Sequence, residues 1–173
     1  MEENQPKTGK TAFTYGLLTG GIGIIFAIML FSMDLHYERG IGVQGVQIAI
    51  LAAGVVLGVL QFKKANSDFL SISESLKVGA GVALIAGILG ILWFFIFSNF
   101  MEPEYMDKMY EIGKQQAMAD NPKLTSEQID QGIEMQKKFA WMSYPIILIF
   151  NIIIGLIVGL ITGLIIKKQK PED

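Results

Sequence analysis

The sequence predicts an all-α integral membrane protein: a four-helix bundle with a helical hairpin inserted between transmembrane helices 3 and 4. Three observations predict this fold. Hydrophobic residues make up 51% of the 173 residues and charged residues only 17%, which is unusually apolar for a soluble domain. The apolar residues are collected in four long runs without a charge. One segment of about the size of a helical hairpin, 102–138, is instead rich in polar residues.

Each apolar run is long enough to cross a bilayer, because a helix needs about 20 residues to span a hydrocarbon core of about 30 Å. The predicted transmembrane helices cover about 11–33, 41–62, 78–101 and 139–166 in one membrane domain, 1–173. The first run is longer than the 7 to 15 residues of a signal-peptide core. We therefore expect it to be retained as the first helix rather than cleaved.

The distribution of basic residues predicts the orientation, since cytoplasmic flanks carry the excess of lysine and arginine. One side receives eight lysines: Lys7, Lys10, Lys63, Lys64, Lys77, Lys167, Lys168 and Lys170. The other side receives Arg39 and five lysines of the long loop. We expect both termini in the cytoplasm and loops 34–40 and 102–138 in the periplasm.

The long loop has the sequence of two helices. Residues 104–119 are mostly helix formers, and Asp120, Asn121 and Pro122 then break the chain. Thr125 and Gln128 form a capping-box pattern for a second helix, which is expected to continue without a break into the fourth membrane helix. A hairpin this small cannot bury a core alone, so it should pack on the membrane domain or on a partner.

The segment 66–77 leaves two interpretations open. Phe69, Ile72 and Leu76 recur at helical spacing, as in a helix that lies in the membrane interface. The polar residues are expected on the remaining surface; they are Asp68, Ser71, Glu74 and Ser75. The alternative is that these residues form the first turns of the third membrane helix.

Small residues recur every four positions in all four membrane helices, which indicates close helix packing. The positions are Gly16 and Gly20, Gly54 and Gly58, Gly79, Ala83 and Gly87, and Gly155, Gly159 and Gly163. Lipid gives helices no hydrophobic drive to associate, so close van der Waals contact between smooth faces must supply it. Contacts inside the bundle are the first interpretation, and a homo-oligomer interface is the second.

The four apolar runs contain no Asp, Glu, Lys, Arg or His. Proton relays and ion-coupled transporters usually place such groups inside the membrane, so transport by this chain alone becomes a weaker hypothesis. Asn151 is the deepest polar residue, and Thr162 follows it in the same helix. We interpret Asn151 as a buried polar contact between helices, with a substrate contact as the alternative.

Few residues suggest catalysis or metal binding. Asp34, His36 and Glu38 alternate in the short outer turn, so an extended backbone would place all three on one edge, as a metal site requires. A brief exposed turn is nevertheless expected to carry charges, and the absence of cysteine excludes thiolate sites and nucleophiles. We therefore expect no metal and no cofactor.

Two pairs of carboxylates share helical faces in the long loop: Asp107 with Glu111, and Asp130 with Glu134. Paired carboxylates can act as acid and base, but exposed pairs without a pocket are usually solvated. We expect no catalytic residues. A formal net charge of -2 and a single arginine also argue against nucleic acid as a partner.

Four loose patterns together resemble a known family. They are YGLLTG at 15–20, FLSISESLKVG at 69–79, the long loop before Trp141, and a glycine-striped last helix that ends in lysines. The chain resembles the small four-helix inner-membrane proteins of Bacteroidetes that are catalogued as domain of unknown function 4199. The resemblance implies a multi-pass protein of the bacterial inner (plasma) membrane without an established active site.

The leading functional hypothesis is a non-enzymatic accessory or assembly subunit. It would contact the lipid bilayer and bind a second copy or another membrane protein through the glycine stripes or through 102–138. An alternative is a subunit of a small-molecule or lipid transporter or channel, with Asn151 and Thr162 along the path. A third hypothesis, an enzyme at the outer interface, would use Asp34, His36 and Glu38.

Overall fold

A computed structural model describes residues 6–38 and 40–169. Arg39, which the sequence places in the outer loop 34–40, lies outside the described residues, as does Lys170. Six α-helices are described: α1 (Thr8–Ser32), α2 (Ile41–Ala65), α3 (Ile72–Ile96), α4 (Tyr105–Asp120), α5 (Ser126–Lys138) and α6 (Ser143–Ile166). A π-helical turn, Phe97–Met101, follows α3, and a 3-10 turn, Ala140–Met142, precedes α6.

The predicted fold class is confirmed. Helix accounts for 83% of the structure, and the described part of the chain contains no strand beyond one isolated bridge. Four helical segments are long and apolar enough to cross a membrane: Thr8–Ser32, Ile41–Ala65, Ile72–Met101 and Ala140–Ile166. The hairpin of α4 and α5 lies between the third and the fourth of them.

The helix boundaries decide between the two interpretations of segment 66–77 and correct one expectation. The third membrane helix begins at Ile72, so residues 72–77 are its first turns and form no separate interfacial helix. The predicted continuity of the second hairpin helix with α6 is wrong, because α5 ends at Lys138 and the 3-10 turn intervenes. The capping box of α5 is confirmed: Gln128 N donates to Thr125 Oγ1, and Thr125 N donates to Gln128 Oε1.

The chain divides into two compact units, and the divisions fall within α3 and α6. The first unit holds the residues up to Gly90 and from Ile147 onward. Its largest fully buried side chains come from α2, α3 and the loop between them: Val55, Val59, Phe62, Leu70, Ser75, Val78 and Val82. The hydrophobic core of this unit therefore lies between the second half of α2 and the first half of α3, which also contain lysines.

Helix directions within the first unit follow from matched contacts. Ala12, Gly16 and Gly20 of α1 meet successive turns of α3, in the same order along both helices. On α2 the order is reversed, since Gly54 meets Thr19 whereas Gly58 meets Tyr15. Thus α1 runs parallel to α3 and antiparallel to α2.

The second unit, Ile91–Ile146, contains the hairpin and the adjoining ends of α3 and α6. Phe97, Met109 and Ile129 are its buried side chains. The ring of Tyr105 stands edge-on to Phe97, with the ring centroids 5.2 Å apart, and to Phe94 at 6.0 Å. The base of α4 therefore packs on the aromatic end of α3, and the core that supports the hairpin is small.

Candidate functional site

The glycines of the predicted packing stripes face other helices of the same chain. Gly16 and Gly20 lie against α3, Gly54 against α1, Gly58 against α1 and α3, Gly79 and Gly87 against α6, and Gly155, Gly159 and Gly163 against α3. By contrast, a Cβ atom on Gly21, Gly23 or Gly90 would meet nothing within 4 Å. Every glycine of the four-residue stripes thus lies at a close approach between helices.

The tightest approach of one backbone to another joins α3 to α6, which run antiparallel. A Cβ atom on Gly79 would collide with the carbonyl oxygen of Gly155, and one on Gly155 would lie 2.5 Å from the carbonyl oxygen of Gly79. A Cβ atom on Gly159 would lie 2.9 Å from the carbonyl oxygen of Ser75. The two backbones therefore meet without intervening side chains, which only glycine permits.

Ser75 is the residue that the sequence misplaced. It was expected on the polar surface of segment 66–77, but its side chain is completely buried. Its hydroxyl donates a hydrogen bond of 2.6 Å to the carbonyl oxygen of Gly159. The glycine stripe of α6 creates the space for this hydroxyl, so only the pairing of α3 with α6 reveals its role.

Asn151 and Thr162 have different surroundings in α6. The Thr162 hydroxyl donates to the carbonyl oxygen of Val158, 2.7 Å away in its own helix. The Asn151 amide nitrogen lies against Gly87, 3.0 Å from the position that a Cβ atom would occupy there. The structure thus places Asn151 at the contact between α3 and α6, whereas the Thr162 hydroxyl is used within α6.

A polar pocket lies where α2 ends, α3 begins and α6 ends. We call this region the lysine-rich end, because five lysines lie in the last turn of α2, in the first turns of α3 or directly after α6: Lys63, Lys64, Lys77, Lys167 and Lys168. Leu70 and Lys168 exchange two backbone hydrogen bonds of 2.8 and 3.0 Å. This isolated antiparallel bridge fixes the segment after α6 against the loop between α2 and α3.

A sharp turn shapes one wall of the pocket. Ser67 and Asp68 adopt left-handed backbone conformations, with φ of 53° and 64°, which side-chain-bearing residues rarely do. The Asn66 side-chain amide donates to the carbonyl oxygen of Phe69 at 3.0 Å and so holds the reversed chain in place. The turn directs Phe69 and Leu70 toward the segment after α6.

Glu74 and Ser71 form a second capping box, at the start of α3. The backbone nitrogen and the hydroxyl of Ser71 each donate to Glu74 Oε2 at 2.8 Å, and Glu74 N donates to Ser71 Oγ at 3.2 Å. The sequence signal was present, since serine followed three residues later by glutamate is the usual pattern. The cap fixes the Glu74 carboxylate at the pocket.

The pocket has a volume of about 240 Å³ and carries opposite charges. Asn66, Phe69, Ser71, Glu74, Lys168 and Gln169 contribute its polar and aromatic lining. The Lys168 ammonium lies 5.5 Å from the centre of the Phe69 ring. Within residues 6–38 and 40–169, no ion pair joins Lys168 or Glu74 to an opposite charge.

Ion pairs link the two helices of the hairpin. Lys114 of α4 pairs with Asp130 of α5, and Lys137 pairs with Asp107 at 3.2 Å while lying 4.9 Å from the centre of the Tyr110 ring. Asp107 and Asp130, each predicted to belong to a carboxylate pair, are thus paired with lysines of the opposite helix. The apolar side chains of Met118, Leu124 and Met135 are exposed.

The turn between α1 and α2 contains the other candidate residues. Asp34 adopts a left-handed conformation with φ of 56°, and the His36 ring lies among aromatic rings, 5.1 Å from Phe31 and 4.2 Å from Tyr37. Across the described ranges, no group of three or more His, Asp or Glu residues is arranged to hold a metal ion.

Comparison with known proteins gives one match. A family model described as "Protein of unknown function (DUF4199)" matches residues 14–168. The matched range includes the four patterns that carry the resemblance, from the first glycine pair to the lysine after α6. No curated protein and no solved structure matches the chain.

Proposed function

Because the chain belongs to the DUF4199 family, whose description names no activity, we propose its function from its surfaces: a non-enzymatic accessory or assembly subunit of a membrane complex. The hairpin of α4 and α5 is the observation that carries this proposal. It is cross-linked by ion pairs but buries few side chains, and it exposes Met118, Leu124 and Met135. A braced helical surface with exposed apolar side chains is typical of a partner-binding element.

The packing of the membrane helices supports the hairpin as the partner surface. The glycine stripes of α3 and α6 are occupied by each other, so a partner that used them would first have to separate these helices. A second copy or another membrane protein can reach the hairpin without such a change. We therefore assign partner binding to 102–138 rather than to the stripes.

The test is site-specific photocrosslinking in living cells, with purification in mild detergent. A photoreactive residue at Met118 or Met135 is expected to yield adducts of defined mass, because both side chains are exposed on the hairpin. The matched control is Ile25, which is about as exposed as Met135 and more exposed than Met118 but lies in the apolar α1. A strictly monomeric particle with no defined adduct from the hairpin positions would contradict the proposal.

The proposal includes location and orientation. We propose that the chain lies in the inner membrane of a bacterial cell, with the lysine-rich end and both termini in the cytoplasm, because cytoplasmic flanks carry the excess of lysine. Loops 34–40 and 102–138 are then periplasmic. Alkaline phosphatase fused after Asn121 should be active and the same enzyme fused after Lys64 inactive. The reverse pattern would contradict this orientation.

A further inference from the structure

The pocket at the lysine-rich end suggests a ligand that the proposed function does not include. It brings one carboxylate, Glu74, and one ammonium group, Lys168, to the same cavity. A free anion would meet the Glu74 carboxylate, and a free cation would meet Lys168. A ligand that carries both charges would satisfy both side chains, because each of its charged groups finds an opposite charge.

The position of the pocket narrows the ligand class. It lies where three apolar helices, α2, α3 and α6, end and the flanking lysines begin. In a bilayer this depth is occupied by phospholipid headgroups. Zwitterionic phospholipids are abundant, and their headgroup consists of an ammonium group and a phosphate. Only a short linker separates these two charges.

We infer that the pocket binds an ammonium–phosphate headgroup, with the phosphate at Lys168 and the primary ammonium at Glu74. Glu74 Oε2 is already held by Ser71, whereas Oε1 accepts from the Asn66 amide at a long 3.5 Å. Oε1 therefore retains acceptor capacity for the ammonium. The Phe69 ring beside Lys168 forms an apolar wall for the linker between the two charges.

The site is formed before the ligand binds. The backbone bridge between Leu70 and Lys168 fixes the main chain of the lysine, and the capping box fixes the carboxylate of the glutamate. Leu70 itself is completely buried beneath the pocket. A rigid site loses little conformational entropy on binding, which favours headgroup selection over general attraction of acidic lipid to the lysines.

The test is native mass spectrometry of the delipidated full chain with phosphatidylethanolamine and phosphatidylglycerol of identical acyl chains. Phosphatidylethanolamine should bind more tightly. Glu74→Gln retains the helix cap, since glutamine also serves in a capping box, and Lys168→Gln retains the backbone bridge. Each variant should weaken phosphatidylethanolamine binding roughly three- to tenfold, as expected for one charge-assisted contact at a partly exposed site.

The same experiment includes a control variant and distinguishes a membrane lipid from a free molecule with the same headgroup. Lys64→Gln removes a lysine of the same end that does not line the pocket, and it should leave the preference unchanged. Free phosphoethanolamine is tested beside the lipids. If it binds at the same side chains, the headgroup alone is sufficient as the ligand. If it does not bind, the ligand is the complete membrane lipid. Equal affinity for the two lipids, or a preference that survives both pocket variants, would overturn the inference.

Discussion

At the scale of single residues, the structure depends on positions where a side chain is absent or completely enclosed. Gly79 and Gly155 bring the backbones of α3 and α6 together, and Ser75 donates to the backbone of α6 from a fully buried position. A buried hydroxyl without a partner would be costly. These three residues therefore determine how α3 and α6 pair.

Replacing Gly79 by alanine should destabilise the protein by about 1–3 kcal/mol, the usual cost of overpacking. The new Cβ atom would collide with the carbonyl oxygen of Gly155, and backbone atoms can move away only if the helices separate. Gly90→Ala is the matched control in the same helix, because its Cβ atom would meet nothing within 4 Å. Thermal unfolding in mild detergent measures both; equal melting temperatures would contradict the assigned packing.

Replacing Ser75 by alanine should cost about 0.6–2 kcal/mol, the range for hydrogen bonds between membrane helices. The change removes the donor to the Gly159 carbonyl oxygen without adding volume. Ser73 is exposed in the same helix, so Ser73→Ala should leave stability unchanged. Thermal unfolding in mild detergent measures the stability of both variants. A destabilised Ser73 variant together with an unaffected Ser75 variant would contradict the role assigned to the Ser75 hydroxyl.

The sequence could predict the roles of these residues only where the interacting positions lie close together in the chain. The glycine spacing of α6 is visible along one helix, so Gly155, Gly159 and Gly163 could be singled out in advance. Ser75 could not, because its burial depends on pairing with a helix 84 positions away in the chain. The pocket was missed for the same reason, since only the fold brings Lys168 to the same pocket as Glu74 and Phe69.

At the scale of elements, local signals predicted most helix boundaries. Thr125 and Gln128 identified the start of α5 because a capping box is formed by neighbouring residues. Ser71 and Glu74 provide an equivalent signal for α3, and that helix begins directly after Ser71. The break between α5 and α6 was not predicted, since no glycine or proline lies between Lys138 and Ser143.

Removing the cap of α5 should loosen the hairpin locally. Thr125→Ala eliminates the acceptor for Gln128 N, which costs about 0.5–2 kcal/mol. Amide hydrogen exchange should accelerate in the first turn of α5 and remain unchanged in α2. Ser126→Ala, one position later, is the control and should have little effect. Unchanged exchange in the Thr125 variant would show that the cap does not stabilise α5.

At the scale of the whole molecule, the exposed apolar side chains of the four long helices form a surface suited to lipid. Ile25, Phe150 and Ile165 are among the most exposed side chains of these helices. A protein that exposed such a surface to water would aggregate, whereas the acyl chains of a bilayer would cover it. The alternating directions of α1, α2 and α3, with α6 antiparallel to α3, are those of a chain that crosses the membrane four times.

The most direct test of this central claim is cysteine accessibility, for which the chain is suited because it has no native cysteine. Lys10→Cys and Asp68→Cys should react with a membrane-impermeant maleimide from one side only, and Asn121→Cys from the other. Ile25→Cys should react from neither side, although its side chain is 67% exposed, because lipid covers it. Labelling of Asp68→Cys and Asn121→Cys from the same side, or rapid labelling of Ile25→Cys, would contradict the four-span bundle.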